Sequence, residues 1–285
     1  PEWKNMSKLR ICMLAAVFAS LLSTAVGAES FKKYEKLAER CRTKPLGLSI
    51  LHSAGFRPAI CLAGDLEQAD LSEGIQRIEK KIGGRNARPI LIVSSGGGDL
   101  GAAISIAEAL GDYDVVVREK CLSACAGPLF LAAREKVILR DSEVGWHGGN
   151  FRTRGEFEEF WIQERNRYLA AFGDRVSEED LKEQIWRDVS RLIDRESRLL
   201  DAENSKAIEV EHWYSKAMDC VPPVVKHLDL SLFWRPSLSE LEEIFGVEFV
   251  SAESAEDYSY PMIFTSDESL LRWRLDSACV YKDGP

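Results

Sequence analysis

Positive charge is in short supply along this 285-residue chain, where 37 Lys and Arg face 46 Asp and Glu, leaving a formal net charge of −9 and a pI near 5.2. A nucleic-acid backbone demands a basic stripe, and none is present, so nucleic acid is excluded as a partner. Histidine is scarce too, at four residues. His52, His212 and His227 have no partner at metal-ligand spacing and read as surface or capping residues. Cys121 and Cys125 stand four apart with no second such pair, which argues against a zinc site, and no cofactor is expected. The chain has no internal repeat and no low-complexity run, so a repeat architecture is excluded.

What the chain does have is 45% hydrophobic residues, enough at this length for a substantial core. One long apolar run stands at the N-terminus: Lys8 and Arg10 precede "ICMLAAVFASLLSTAVGA" (11–28), which ends in small residues ahead of Glu29. This pattern predicts a secretory signal cleaved after Ala28, with Val26 and Ala28 at the small-residue positions. The protein is then expected to be periplasmic or otherwise exported; the alternative is an inner-membrane anchor over residues 11–28, which would keep the chain near the membrane. Cys12 lies too early in the run for a lipoprotein cysteine, and Pro1–Asn5 read as an upstream extension before Met6. Cys41, Cys61, Cys121, Cys125, Cys220 and Cys279 remain after cleavage, and an exported chain with six cysteines is expected to hold at least one disulfide. Their spacing leaves the connectivity open. Beside Ser123, either a local disulfide or two buried thiols fits.

Beyond residue 28 the pattern alternates. A charged helix is expected over 30–43, then a strand at "PAICLAGDL" (58–66) and a helix over 67–82 with Leu71, Ile75, Ile78 and Ile82 on one face. "RPILIVSS" (88–95) is a continuous apolar strand ending in Gly96, Gly97 and Gly98, and 99–110 forms a helical stripe. "YDVVVRE" (113–119) is a strand, "SACAGPLFLAA" a buried helix, "KVILR" (136–140) a strand, and "EVGWHGG" (143–149) a strand or its end. Apolar strands alternating with helices predict an α/β layered sheet with covering helices. Residues 155–215 read as a charged amphipathic helical insertion, and a helix capped by Ser237 or Ser239 follows Pro236 and ends at Gly246. The expected organisation is residues 1–28 as upstream segment and signal or anchor, 29–250 as the α/β domain, and 251–285 as an acidic C-terminal extension.

Ser123 stands where the strand over 113–119 turns into the apolar helix. A nucleophile at that point lies beside unpaired backbone N–H groups, which favour developing negative charge. The three glycines after the neighbouring strand form the natural second wall, because a glycine lets a backbone N–H approach a substrate carbonyl closely. His147, 24 residues on at the end of another strand, is the candidate base. Singly, a helix cap and a tight turn explain these residues equally well. Trp146 reads as core or pocket wall.

The ordered set "ICLAGDL", "ILIVSSGGGDLGAAISIAEAL" and "VVVREKCLSACAGPLFLAAREKVILRDSEVGWHGG" resembles the Clp protease proteolytic subunit and signal peptide peptidase A, within the ClpP/crotonase superfamily. It is most similar to exported bacterial relatives whose serine lies in a Cys-x-Ser-Ala-Cys motif. The resemblance spans residues 57–149, and "LFWRPSLSELEEIFGV" (232–247) is similar to the family's closing helix. It implies Ser123 as nucleophile, His147 as general base, and an oxyanion hole from the N–H groups of Gly97 and Ala124. It also implies a peptide or protein substrate and self-assembly into a homo-oligomer.

The sequence departs from the family at three places. The usual Ser-Pro-Gly-Gly turn is here Ser95, Gly96, Gly97, Gly98, so the stiffening proline is absent. Pro128 falls in the first turns of the serine helix, where it removes a backbone bond and bends the helix. No motif fixes the acid of a triad; Asp229, ahead of the closing helix, is the first choice and Asp194 the alternative. Three functions therefore stand: an exported serine hydrolase of peptidase type, a non-catalytic relative kept for binding or assembly, and a crotonase-like acyl-thioester enzyme.

Overall fold

The computed structural model describes residues 31–51, 57–82, 88–147, 153–172, 176–201, 210–226, 232–243, 245, 247, 249–250, 258, 261–265 and 272–280. The predicted signal or anchor (1–28), Asp229 and Gly246 lie outside them. Among the described residues no helix is long and apolar enough to cross a membrane. The chain divides into two compact units, Pro1–Thr43 and Lys44–Pro285. In the first, residues 31–42 form helix α1, with Tyr34, Leu37, Ala38 and Cys41 spaced along one face.

The second unit is built on the α/β sheet that the alternating pattern predicts. Strands β2 (Ala59–Ala63), β3 (Ile90–Ser95), β4 (Asp114–Leu122) and β5 (Lys136–Ile138) run parallel in that order, and β8 (Phe249–Val250) extends the sheet beyond β5. Every residue of β3 is buried, so the sheet is covered on both faces, which is why these strands read as unbroken apolar runs. Helix α2 (Gln68–Ile82) buries the predicted Leu71 and Ile78, and α3 (Leu100–Leu110) is capped by Asp99, whose side chain accepts from the Ala102 N–H at 2.5 Å. Gly111 ends α3 at φ +65°, its N–H returning to the Ala107 carbonyl. Strand β1 (Gly47–Leu51), unforeseen in the sequence, adds antiparallel to β2.

The serine helix is present but differs in winding: Cys125–Leu131 forms a π-helix with Pro128 inside it. An α-turn would press the proline ring on the carbonyl four residues back, and the wider π-turn relieves that contact. The charged region resolves into helices α4 (Arg154–Phe172), α5 (Glu178–Asp201) and α6 (Val210–Asp219). Residues 232–247 are not one closing helix. They divide at Pro236 into strand β7 (Leu232–Arg235) and the short helix α7 (Leu238–Glu243), which Ser237 precedes. Within the C-terminal extension, β9 (Met262–Thr265) and β10 (Arg272–Arg274) complete an antiparallel sheet in the order β10-β9-β7.

Strand β4 is long enough to take two partners in series. Its first half pairs with β5 through Val115–Val117, and its second half pairs with β6 (Glu143–Gly145) through Lys120–Leu122. That division of one strand between two neighbours positions the site.

Candidate active site

Leu122 lies opposite Gly145 in the β4–β6 register, and the Ser123 N–H donates to the Gly145 carbonyl at 3.0 Å. Ser123 is thus one residue beyond the end of β4 and His147 two beyond the end of β6, on adjacent parallel strands. Trp146 is held by reciprocal backbone bonds with Trp234, 2.9 and 2.6 Å long. With both strand ends fixed, Ser123 Oγ and His147 Nε2 stand 2.6 Å apart, within hydrogen-bond distance. His147 is exposed and Ser123 half-buried, so the pair is open to an incoming substrate.

The backbone around Ser123 is unusual. Its φ is +56°, a left-handed conformation that costs a non-glycine residue about 1–2 kcal/mol. A disulfide joins Cys121 to Cys125 across it, closing a small ring with Ser123 at its centre, and both cysteines are fully buried. Of the two readings the sequence left open beside Ser123, the structure contains the disulfide. A second disulfide joins Cys220 and Cys279.

Strand β3 supplies the facing wall. Its register with β4 slips between Val93 and Ser95, leaving Ser95 opposite Cys121 and the glycine turn beside the serine. Gly97 has φ +99°, and a Cβ there would fall 2.6 Å from Ser123 Cβ and 2.7 Å from the Leu122 carbonyl oxygen, so only glycine fits. The Gly97 carbonyl accepts from the Leu66 N–H, and the Leu66 carbonyl accepts from the Asp99 N–H, both at 2.7 Å, tying the turn to the loop after β2. The Gly97 N–H itself donates to Ser95 Oγ at 3.1 Å. Ala124 directly follows the serine and precedes the π-helix.

The antiparallel sheet forms the floor beneath the imidazole. Phe233 meets the His147 ring in a T-shaped contact at 5.3 Å, and behind it Leu122, Phe233 and Phe264 make a buried apolar cluster. Glu143 in β6 pairs with Arg235 of β7 at 3.0 Å and with Arg272 of β10. The Arg235 guanidinium lies over the Tyr258 ring at 4.1 Å. The Tyr258 hydroxyl donates to the Ser142 carbonyl and accepts from the Val144 N–H, both at 3.1 Å. Burial, above all, pushes the Tyr258 phenol above its ordinary range, with the Arg235 charge opposing, so it stays a neutral donor. These contacts lock β6, and with it His147.

Of the residues singled out in the sequence, Ser123, with Ala124 next to it, His147 and Gly97 come together just beyond the ends of β4, β6 and β3. Asp194 does not join them: it is exposed on α5, and its side chain makes no ion pair or hydrogen bond among the described residues. Trp146 is core, stacked on Phe245 at 5.0 Å. Sequence reasoning missed Ser95 and Phe233. A hydroxyl two residues ahead of Gly97 was a visible signal for the first; nothing local marked Phe233, whose role depends on a strand pairing across the molecule. Among the described residues no cluster of His, Cys, Asp and Glu could hold a metal ion.

No protein-family model matches the sequence, and no curated protein matches it. Among solved structures the chain is similar to a mutant of ClpP1 from Listeria monocytogenes, at 16% identity and a TM-score of 0.37, over 67% of this chain and 90% of that one.

Proposed function

We propose that this protein is a serine hydrolase of the peptidase type, with Ser123 as nucleophile and His147 as general base. The observation that carries the reading is the 2.6 Å contact between Ser123 Oγ and His147 Nε2, made by a serine in a left-handed turn at the end of a buried strand. A serine that only caps a helix needs neither the imidazole nor the conformation.

In this reading Ser123 Oγ attacks the substrate carbonyl carbon while its proton passes to His147 Nε2. The carbonyl π electrons move onto oxygen, and the N–H groups of Ala124 and Gly97 meet the charge. Collapse of the intermediate expels the leaving group, which takes the proton from the imidazolium and leaves an acyl-Ser123. Water, deprotonated by His147, then releases the acid. Asp229 is the residue we assign to orient the imidazole: it precedes by four residues Phe233, the ring in contact with His147. The substrate is a peptide or protein, and the working form is a homo-oligomer exported from the cytoplasm with cleavage after Ala28.

A non-catalytic binding protein is the second reading, and the bond from the Gly97 N–H to Ser95 Oγ favours it, because that amide is engaged inside the protein. Turnover separates the two. Hydrolysis of activated esters and short peptides by the wild type, reduced at least 10³-fold in Ser123→Ala and His147→Ala at unchanged melting temperature, supports the hydrolase. Equal activity in wild type and Ser123→Ala would leave the binding reading.

A further inference from the structure

We propose that Ser95 is a latch on the oxyanion site, whose hydroxyl must release the Gly97 N–H before a substrate oxygen can use it. The inference rests on the hydrolase reading above. Ser95 is the last residue of β3, fully buried and held opposite Cys121 by the sheet register. Its Oγ accepts from the Gly97 N–H at 3.1 Å, and Gly97 is buried against Ser123. A backbone amide offers one hydrogen, so while Ser95 holds it the second oxyanion donor is engaged within the turn. The nucleophile and base are already in contact at the same time. The site is therefore assembled on one side and latched on the other.

The turn contains the means of release. Residues 96, 97 and 98 are all glycine, so the turn carries no proline ring or Cβ to resist a change of backbone conformation. A neutral hydroxyl and a ground-state carbonyl are acceptors of similar strength, and exchanging one for the other gains little. An oxyanion is a much stronger acceptor, so the exchange becomes favourable as negative charge develops. The latch consequently burdens the chemical step more than substrate binding, and it selects for electrophiles whose oxygen gains full charge.

Removing the hydroxyl should give a signature opposite to simple damage. In Ser95→Ala the Gly97 N–H has no internal acceptor, which destabilises the free protein and leaves the donor ready for the oxyanion. The test is the concentration dependence of inactivation by a fluorophosphonate, with melting temperature and the hydrogen-exchange rate of the Gly97 amide measured on the same proteins. The expected result for Ser95→Ala is a maximal inactivation rate raised about three- to tenfold, the equivalent of one neutral hydrogen bond, with half-saturation little changed. It should also melt lower and exchange faster at Gly97. Ser95→Thr, which keeps the hydroxyl, should return both rates toward wild type. An inactivation rate in a folded Ser95→Ala protein at or below wild type would overturn the latch, as would unaltered exchange at Gly97. Absence of labelling in the wild type counts against the hydrolase reading instead, and the Gly97 exchange rate then decides the latch alone.

Discussion

Ser123 at φ +56° and Gly97 at φ +99° face each other across the site, and only the glycine adopts its conformation without a steric penalty. Ser123 and His147 were legible as a candidate pair because each stands at the end of an apolar strand. Their 2.6 Å separation was not, since it follows from the pairing of Leu122 with Gly145. The need for glycine at 97 was visible as a turn, and its contact with Ser123 was not. Replacing Gly97 by Ala should therefore do more than stiffen a loop. The new Cβ would meet backbone at 2.7 Å and Ser123 Cβ at 2.6 Å, in addition to a left-handed penalty of about 1–2 kcal/mol. We expect Gly97→Ala to lose hydrolysis by at least 10²-fold and to denature at lower urea; near wild-type turnover would mean that the turn does not abut the nucleophile.

Among the elements, the parallel core was readable from apolar runs and helical stripes, because strands buried on both faces are apolar throughout while the covering helices keep a one-sided apolar face. The antiparallel sheet was not. Strands β9 and β10 are four and three residues long, and "RWR" is exposed throughout, so neither shows an alternating pattern. The π-winding of Cys125–Leu131 was foreshadowed by Pro128, although proline alone does not distinguish a bend from a widened turn. Here the Cys121–Cys125 disulfide ties the end of β4 to the first residue of the π-helix, holding the backbone on either side of Ser123. Opening that ring in a Cys121→Ala/Cys125→Ala protein should lower the fluorophosphonate reaction rate by about tenfold or more, since a left-handed serine then lacks its clamp. Loss of the Cys220–Cys279 bridge by the corresponding double substitution serves as the comparison, and equal effects from both would assign the first disulfide to general stability only.

Helices α4 and α5 form a second testable element. Lys182 holds the Glu158 carboxyl, and Arg154 the Glu183 carboxyl, below the usual glutamate range. A depressed folded-state value means that these pairs stabilise the hairpin at neutral pH and cease to do so as pH falls through it. Limited proteolysis within residues 154–201 should accelerate below about pH 4 and do so less in Glu158→Gln/Glu183→Gln, which has already lost the effect at neutral pH. Identical acid profiles would contradict the linkage.

For the second unit as a whole, the two sheets are joined at Glu143, which is buried in β6 and pairs with Arg235 and Arg272 of the antiparallel sheet. No short motif revealed this, because the partners lie 92 and 129 residues away. Removing one member of a buried ion pair strands the others in low dielectric, so Glu143→Gln should cost about 3–5 kcal/mol in urea denaturation. A loss under about 1 kcal/mol would show that the joint rests on packing and the Trp146–Trp234 backbone bonds instead.

The central claim is that Ser123 is an activated nucleophile. Its most direct measurement is peptide mapping of the wild-type protein after reaction with a fluorophosphonate. Attack by Ser123 Oγ forms the P–O bond as the P–F bond breaks, fluoride leaves and the serine proton passes to His147. The account predicts a single stoichiometric adduct on Ser123, absent from Ser123→Ala and slowed at least 10³-fold in His147→Ala. An unmodified Ser123 in folded protein at saturating probe, or an adduct formed equally fast without His147, would contradict it.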